Sequence, residues 1–193
     1  MPAMNELAQQ TFDPASFRHA ARLRDGTPVL IRPVQHDDRE RIVAAFAKLE
    51  PQTIYTRFFS AKRELNDIDL ARIDASDFTH ALALVATLAE GDDEVIIGGG
   101  AYTVLDRPGA PLTAELSFTV EEDYQGQGLS GLFMRLLTQI GRQRGIRRFE
   151  AEVLAGNAPM LKVFERSGLP QTRHLEGGAV RVEMALDEGG PAG

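Results

Sequence analysis

Apolar and polar positions along this chain repeat with two periods, and the switches between them mark out the elements. "TPVLIRP" is a short run of β-formers, read as a strand. "HDDRERIVAAFAKLE" changes to helical spacing, with Asp37 as its N-cap and Glu40 three positions on, in the manner of a capping box. "TIYTRFF" and "NDIDLARI" suggest further short helical turns. "HALALVATL" and "VIIGGGAYTVL" are rich in β-formers and parted by the turn-like "EGDD", which predicts a hairpin. Past a second turn at "DRPGAP", Leu116, Phe118 and Val120 alternate with Glu115, Ser117 and Thr119, the pattern of a half-buried strand. Leu129, Leu132, Phe133, Leu136, Leu137 and Ile140 then fall on one helical stripe and define the clearest helix in the chain. The strand "RRFEAEVL", the helix "NAPMLKVFERSG" with Asn157 as cap, and a hairpin turning at "EGG" complete the series. Residues 1–23 read as a poorly patterned leader and 187–193 as a loose tail, which leaves one domain over 24–186 without repeat or linker.

Composition narrows the chemistry. A chain of 193 residues with 43% hydrophobic residues can build one real core. No run approaches the roughly 20 apolar residues needed to cross a bilayer. "MPAMNELAQQ" lacks the basic start and apolar segment of a secretory signal, so the expected address is cytoplasmic, with no membrane partner. The absence of cysteine excludes disulfides, thiolate catalysis and cysteine-built zinc sites. His19, His36, His80 and His174 show no metal-ligand spacing, and no metal is expected. A net charge of −7 argues against a nucleic-acid partner. The one basic cluster, "GRQRGIRR", is either a solvated helix end or a phosphate contact.

The segment from Gly126 to Gly131 spells G-x-G-x-x-G, the fingerprint of dinucleotide-binding proteins. Glu150 even stands about 20 residues beyond it, where the ribose-binding acid of that fold sits. Yet Glu121, Glu122 and Asp123 separate the preceding strand from the glycines and would crowd a pyrophosphate, and the loop follows antiparallel-looking strands late in the chain. A nucleotide-triphosphate loop is poorer still, because the Gly-Lys-Ser/Thr ending is missing. What remains is either a tight strand-to-helix turn with no ligand or a turn whose free N–H groups and helix dipole suit an anionic phosphate.

Gln125, Gly126, Gln127, Gly128, Leu129 and Ser130 resemble the Gln/Arg-x-x-Gly-x-Gly/Ala signature of the GNAT superfamily of acyl-CoA-dependent N-acyltransferases, with Ser130 a mild departure at the last place. "NAPMLKVFERSGL" is similar to that superfamily's Asn-led helix and its Tyr-Glu-Lys-x-Gly-Phe-like ending. The order of predicted elements agrees from about Arg24 to Ala185. At the front, "LRDGTPVLIRPVQHDDRERI" followed by "IYTRFF" resembles the acyltransferase domain of bacterial protein lysine acetyltransferases, often found behind an acyl-CoA-synthetase-like region that this sequence does not contain. The two phenylalanines of that segment and Arg57 read as helix packing and surface charge, or as substrate contacts.

The resemblance implies an α+β fold: a single GNAT-like domain with a mixed, mostly antiparallel sheet of about seven strands flanked by about four helices. It implies acetyl-CoA as acyl donor, no metal, and a primary amine as acceptor. Its loop, Gln125 to Gly131, would hold the pyrophosphate. Phe118, Thr119 and Val120 would offer backbone groups to the pantetheine arm where their strand splays from "FEAEV", and Asn157 and Phe164 would adjoin the cofactor. An amine with a pKa near 10.4 reaches the site as an ammonium, so a base is required. Glu115 matches the glutamate that serves as base in the lysine acetyltransferases. Phe164 stands where many members have a proton-donating tyrosine, and phenylalanine has no proton to give. Three readings stay open: a protein lysine acetyltransferase, a small-amine N-acetyltransferase, and an acyl-CoA-binding sensor without transfer activity. A homodimer is also open.

Overall fold

The computed structural model describes residues 12–58, 65, 78, 80–91 and 93–186. The turn expected over "NDIDLARI", the side chains of Arg57, Phe58 and Phe59, and the tail from residue 187 lie outside the described residues. The strands are β1 (His19–Arg22), β2 (Pro28–Pro33), β3 (Ala81–Glu90), β4 (Asp93–Leu105), β5 (Thr113–Val120), β6 (Arg148–Leu154), β7 (Gln171–Glu176) and β8 (Ala179–Ala185). They form one 8-stranded sheet in the order β1-β2-β3-β4-β5-β6-β8-β7. Every neighbouring pair is antiparallel except β5 and β6, which run parallel. Among the described residues the α-helices are α1 (Arg39–Lys48), α2 (Pro51–Phe58), α3 (Leu129–Gln143) and α4 (Ala158–Arg166). This is the α+β domain the sequence predicts, with one strand more than expected.

The additional strand is β1, within the stretch read as leader. "HAAR" is too short to show an alternation, and its conformation comes from the hairpin it makes with β2 through a turn at Gly26, whose φ is +91°. Upstream of it, Phe12 is buried against the core and its ring meets that of Phe17 at 5.2 Å.

The register sorts the two faces of the sheet. Tyr102, Gly100 and Gly98 of β4 pair with Leu116, Phe118 and Val120 of β5, and this face meets α3. A Cβ on Gly100 would sit 2.8 Å from Phe133, and one on Gly98 would sit 3.1 Å from Leu129 Cδ2. The glycines of "VIIGGGAY" thus let the first turns of α3 settle directly onto the sheet. The opposite row runs Arg32, Val85, Gly99, Thr119 and faces α1.

A buried ion cluster fastens α1 to that face. Arg32, only 4% exposed, donates to both carboxylate oxygens of the fully buried Asp38 at 2.6 and 2.8 Å, and to Glu94 at 2.7 Å. The structure corrects the expected cap at Asp37. A 3-10 turn over His36–Asp38 precedes the helix, and the Asp38 carboxylate turns back to accept the Gln35 N–H at 2.8 Å. Arg32 is the reason, because a buried guanidinium demands a carboxylate more strongly than a solvated helix end does. Burial pushes the Asp38 pKa up, but the hydrogen bonds from Arg32 and Gln35 prevail and hold it below the ordinary aspartate value.

Arg32→Met should therefore strand a buried carboxylate and cost about 3–5 kcal/mol of stability in urea unfolding. Because the folded pKa of Asp38 is depressed, its contribution is present above the ordinary aspartate pKa and disappears as pH falls through the folded value. Wild-type stability should drop more steeply on acidification than that of an Asp38→Asn variant, measured by urea midpoints from pH 6 downward. Gly100→Ala should cost about 1–3 kcal/mol by overpacking against Phe133.

Candidate active site

The site begins where β5 and β6 part. Their parallel ladder contains only Thr113 with Arg148, Ala114 with Phe149 and Glu115 with Glu150. Beyond that point β5 stays bonded to β4 as far as Val120, and β6 stays bonded to β8 as far as Leu154. Each strand is tied on its outer side, so a wedge opens between them. From Leu116 to Val120 the inner edge of β5 presents backbone groups that no strand takes up, a ready partner for an extended chain carrying amides. Val120 O is capped from within, by Gln125 Nε2 at 3.1 Å.

At the mouth of the wedge the chain turns into α3. Gly126 and Gly128 have φ of +72° and +93°, a left-handed conformation that favours glycine. Gly128 is the residue at the helix cap, and the first bond of the helix runs from Leu132 N–H to Gly128 O at 3.1 Å. The N–H groups of Leu129, Ser130 and Gly131 therefore have no partner within the helix and stand at its positive end. The surrounding cleft, about 1980 Å³, runs between this loop, the end of β5 and the start of α4. Arg24, Arg135, Arg142, Lys162 and Arg166 line it, and among the described residues no aspartate or glutamate does. On a chain with a net charge of −7, such a lining selects for an anionic ligand.

Glu115 lies at the vertex of the wedge, exposed, on the face opposite α3. Its neighbour in register, Glu150, is only 5% exposed and fully engaged. Arg107, in the hairpin before β5, donates to both of its oxygens, and Arg181 of β8 reaches Oε2 at 2.6 Å. Burial raises the Glu150 pKa, but the two guanidiniums outweigh it and keep the carboxyl below the ordinary glutamate value. Glu150 is thus consumed inside the sheet. This removes the acid on which a dinucleotide reading of the glycine loop depends.

Most residues singled out in the sequence gather along the cleft. Phe118, Thr119, Val120, Gln125, Gly126, Gly128, Leu129, Ser130 and Gly131 line it, and so does Asn157, whose Oδ1 accepts the Met160 N–H at 3.2 Å as the cap of α4. Gln127 turns aside, its Oε1 accepting the Asp25 N–H at 3.2 Å. Phe164 is 1% exposed and packs behind the lining, its ring 6.1 Å from that of Phe118. Four contributors were not read from the sequence. Arg24 comes from the β1–β2 turn, Thr53 of α2 receives a hydrogen bond from Gln125 Nε2 at 3.1 Å, and Arg107 and Arg181 bracket Glu150. All are ordinary polar residues in local sequence, and only the fold brings them to the site.

Residues 46–169 match the family model described as the acetyltransferase (GNAT) family. An acetyltransferase of Pseudomonas aeruginosa is 32% identical over 138 residues, 72% of this chain and 73% of that protein. The acetyltransferase Pat of Mycolicibacterium smegmatis is 30% identical over 166 residues, which cover 84% of this chain but 47% of that protein, so the chain spans about half of its length. The solved GNAT domain of S. lividans PAT superposes with a TM-score of 0.80 at 34% identity, covering 90% of this chain and 99% of that domain. With a split parallel pair, an anion-ready loop and these relatives together, the chain belongs to the acetyltransferase (GNAT) family and is an acetyl-CoA-dependent N-acetyltransferase.

Proposed function

We propose that the protein moves the acetyl group of acetyl-CoA to a lysine side chain of a protein acceptor, with Glu115 as general base. The observation that carries this reading is the position of Glu115 at the vertex of the wedge, beside the last paired residues of β5 and β6. In this reading the pyrophosphate rests on the N–H groups that open α3, and the pantetheine arm lies along the free edge of β5 beside Phe118, Thr119 and Val120. The thioester then arrives at the vertex. Among the described residues Glu115 is exposed rather than enclosed, which suits an amine presented by another protein. Similarity to the GNAT domain of S. lividans PAT and to the mycobacterial Pat supports the same choice. The setting we propose is cytoplasmic; no helix of the described residues is long and apolar enough to cross a membrane.

The chemistry follows from this placement. The Glu115 carboxylate takes a proton from the ammonium, directly or through water, and the freed nitrogen lone pair attacks the thioester carbon. Collapse of the tetrahedral intermediate breaks the C–S bond and releases coenzyme A thiolate, and the nitrogen gives its second proton to solvent as the neutral amide forms. Phe164 offers no proton and is buried away from the cleft, so the thiolate departs unprotonated, as a thiol pKa near 8.5 allows.

Gly128→Val should weaken acetyl-CoA binding about tenfold or more in calorimetry, because a β-branched residue cannot hold a φ of +93° without shifting the loop. Unchanged affinity in a folded variant would refute the loop assignment. Glu115→Gln keeps the size of the side chain and removes its basicity. Transfer from labelled acetyl-CoA to lysine peptides near neutral pH should fall about 10²–10⁴-fold while acetyl-CoA affinity stays within twofold or so. Raising the pH should recover part of the loss, since more amine then arrives deprotonated. Near wild-type turnover across pH would remove Glu115 from the mechanism.

A further inference from the structure

We propose that Arg24 is a positioning residue for the pyrophosphate: it orients the peptide groups of the glycine loop and adds its charge beside the phosphate. The proposal rests on the loop binding the pyrophosphate, and the test below separates the two.

The β1–β2 turn is rigid in its own right. Leu23 N–H donates to Thr27 O at 2.9 Å, Gly26 N–H to Leu23 O at 3.0 Å, and Thr27 N–H to the Asp25 carboxylate at 2.9 Å. From this turn Arg24 grips the loop 102 positions later, Nη1 donating to Gly126 O at 2.6 Å and the Arg24 N–H donating to Gln127 O at 3.2 Å. Asp25 N–H adds a third bond, to Gln127 Oε1 at 3.2 Å.

In a planar trans peptide the C=O of one residue and the N–H of the next point in opposite directions. Fixing the carbonyls of Gly126 and Gln127 toward the turn therefore aims the N–H groups of Gln127 and Gly128 away from it. Gly128 lines the cleft with Leu129, Ser130 and Gly131, whose N–H groups open α3, and a row of donors at a helix start suits an anion. Glycine lets these peptides rotate into place, but it also leaves them free to rotate out, so something must hold them. The Arg24 side chain holds the Gly126 carbonyl, while its main-chain N–H holds that of Gln127.

The guanidinium has a second role available. Arg24 lines the cleft, its Nε would lie 3.8 Å from a Cβ placed on Gly128, and it makes no ion pair among the described residues. Among the described residues no carboxylate is bonded to this guanidinium, which stands beside the atoms that would receive the pyrophosphate. Removing it should cost one charge-assisted interaction together with the ordering of the loop, about a tenfold loss of affinity.

The experiment compares acetyl-CoA, measured by calorimetry, with pantetheine, measured by NMR titration; pantetheine carries the arm but no phosphate. Wild type, Arg24→Met and Arg24→Lys are compared, with folding checked by circular dichroism and thermal melting. We expect wild type to bind acetyl-CoA far more tightly than pantetheine. Arg24→Met should shrink that ratio about tenfold, and Arg24→Lys, which keeps the cation but loses the fork, should fall between. A ratio equal to wild type in folded Arg24→Met, whether both affinities hold or both fall together, would overturn the proposal. Should Arg24→Met fail to fold, an unchanged ratio in Arg24→Lys would do the same. If wild type itself fails to distinguish acetyl-CoA from pantetheine, the phosphate assignment of the loop is what falls.

Discussion

The parting of β5 from β6 after Glu115 and Glu150 is the constraint on which the rest of the structure depends. Five strands from β1 to β5 and three from β6 to β8 meet through only three register pairs. Each of the two central strands keeps a full antiparallel partner on its outer side, so neither can close the gap without breaking a longer ladder. The wedge persists because its floor is filled from the α3 side, where Phe164 of α4 meets Phe118 of β5. Phenylalanine at 164 thus acts as a wedge-filling ring, and the absence of a proton donor there follows from the same placement.

Around this opening the fold divides its work between two faces. On one, glycines at 98 and 100 admit α3 so closely that its first turn stands at the mouth of the wedge. On the other, the Arg32–Asp38–Glu94 cluster sets α1 against the sheet, and the linker into α2 is tied to the loop region where Glu50 N–H donates to Glu122 at 3.0 Å. Donor and acceptor would then approach the vertex from different faces, with the sheet between them except at the wedge. On the proposed reading, such separation would let a large acceptor bind without displacing the cofactor.

Much of this was legible in the sequence where a single periodic pattern decided the outcome. The stripe from Leu129 to Ile140 could only be a buried helix, and the alternation from Glu115 to Val120 could only be a half-buried strand. The glycine loop announced its conformation through Gly126 and Gly128. The parts that escaped depend on partners far along the chain. β1 exists because β2 lies beside it, Asp38 rather than Asp37 organises the entry to α1 because Arg32 is buried there, and Glu150 is neutralised by arginines 43 positions before it and 31 after it. Arg24 stood at the first position of the domain as read from the sequence and proves to be bonded to the glycine loop. Local propensity carries no information about such pairings, since either member alone is an ordinary surface residue.

The account stands or falls on the free edge of β5 and the opening of α3 together forming the seat of the donor. Amide hydrogen exchange with and without saturating coenzyme A, resolved to short peptides, tests this directly. Added coenzyme A should slow exchange in residues 116–120 and in the loop 126–131 together, because the arm would cover the strand edge while the phosphates occupy the helix start. It should leave the β7–β8 hairpin unchanged. Protection confined to another part of the sheet, or protection of the loop with none along β5, would contradict the claim that the wedge is what holds the reacting thioester.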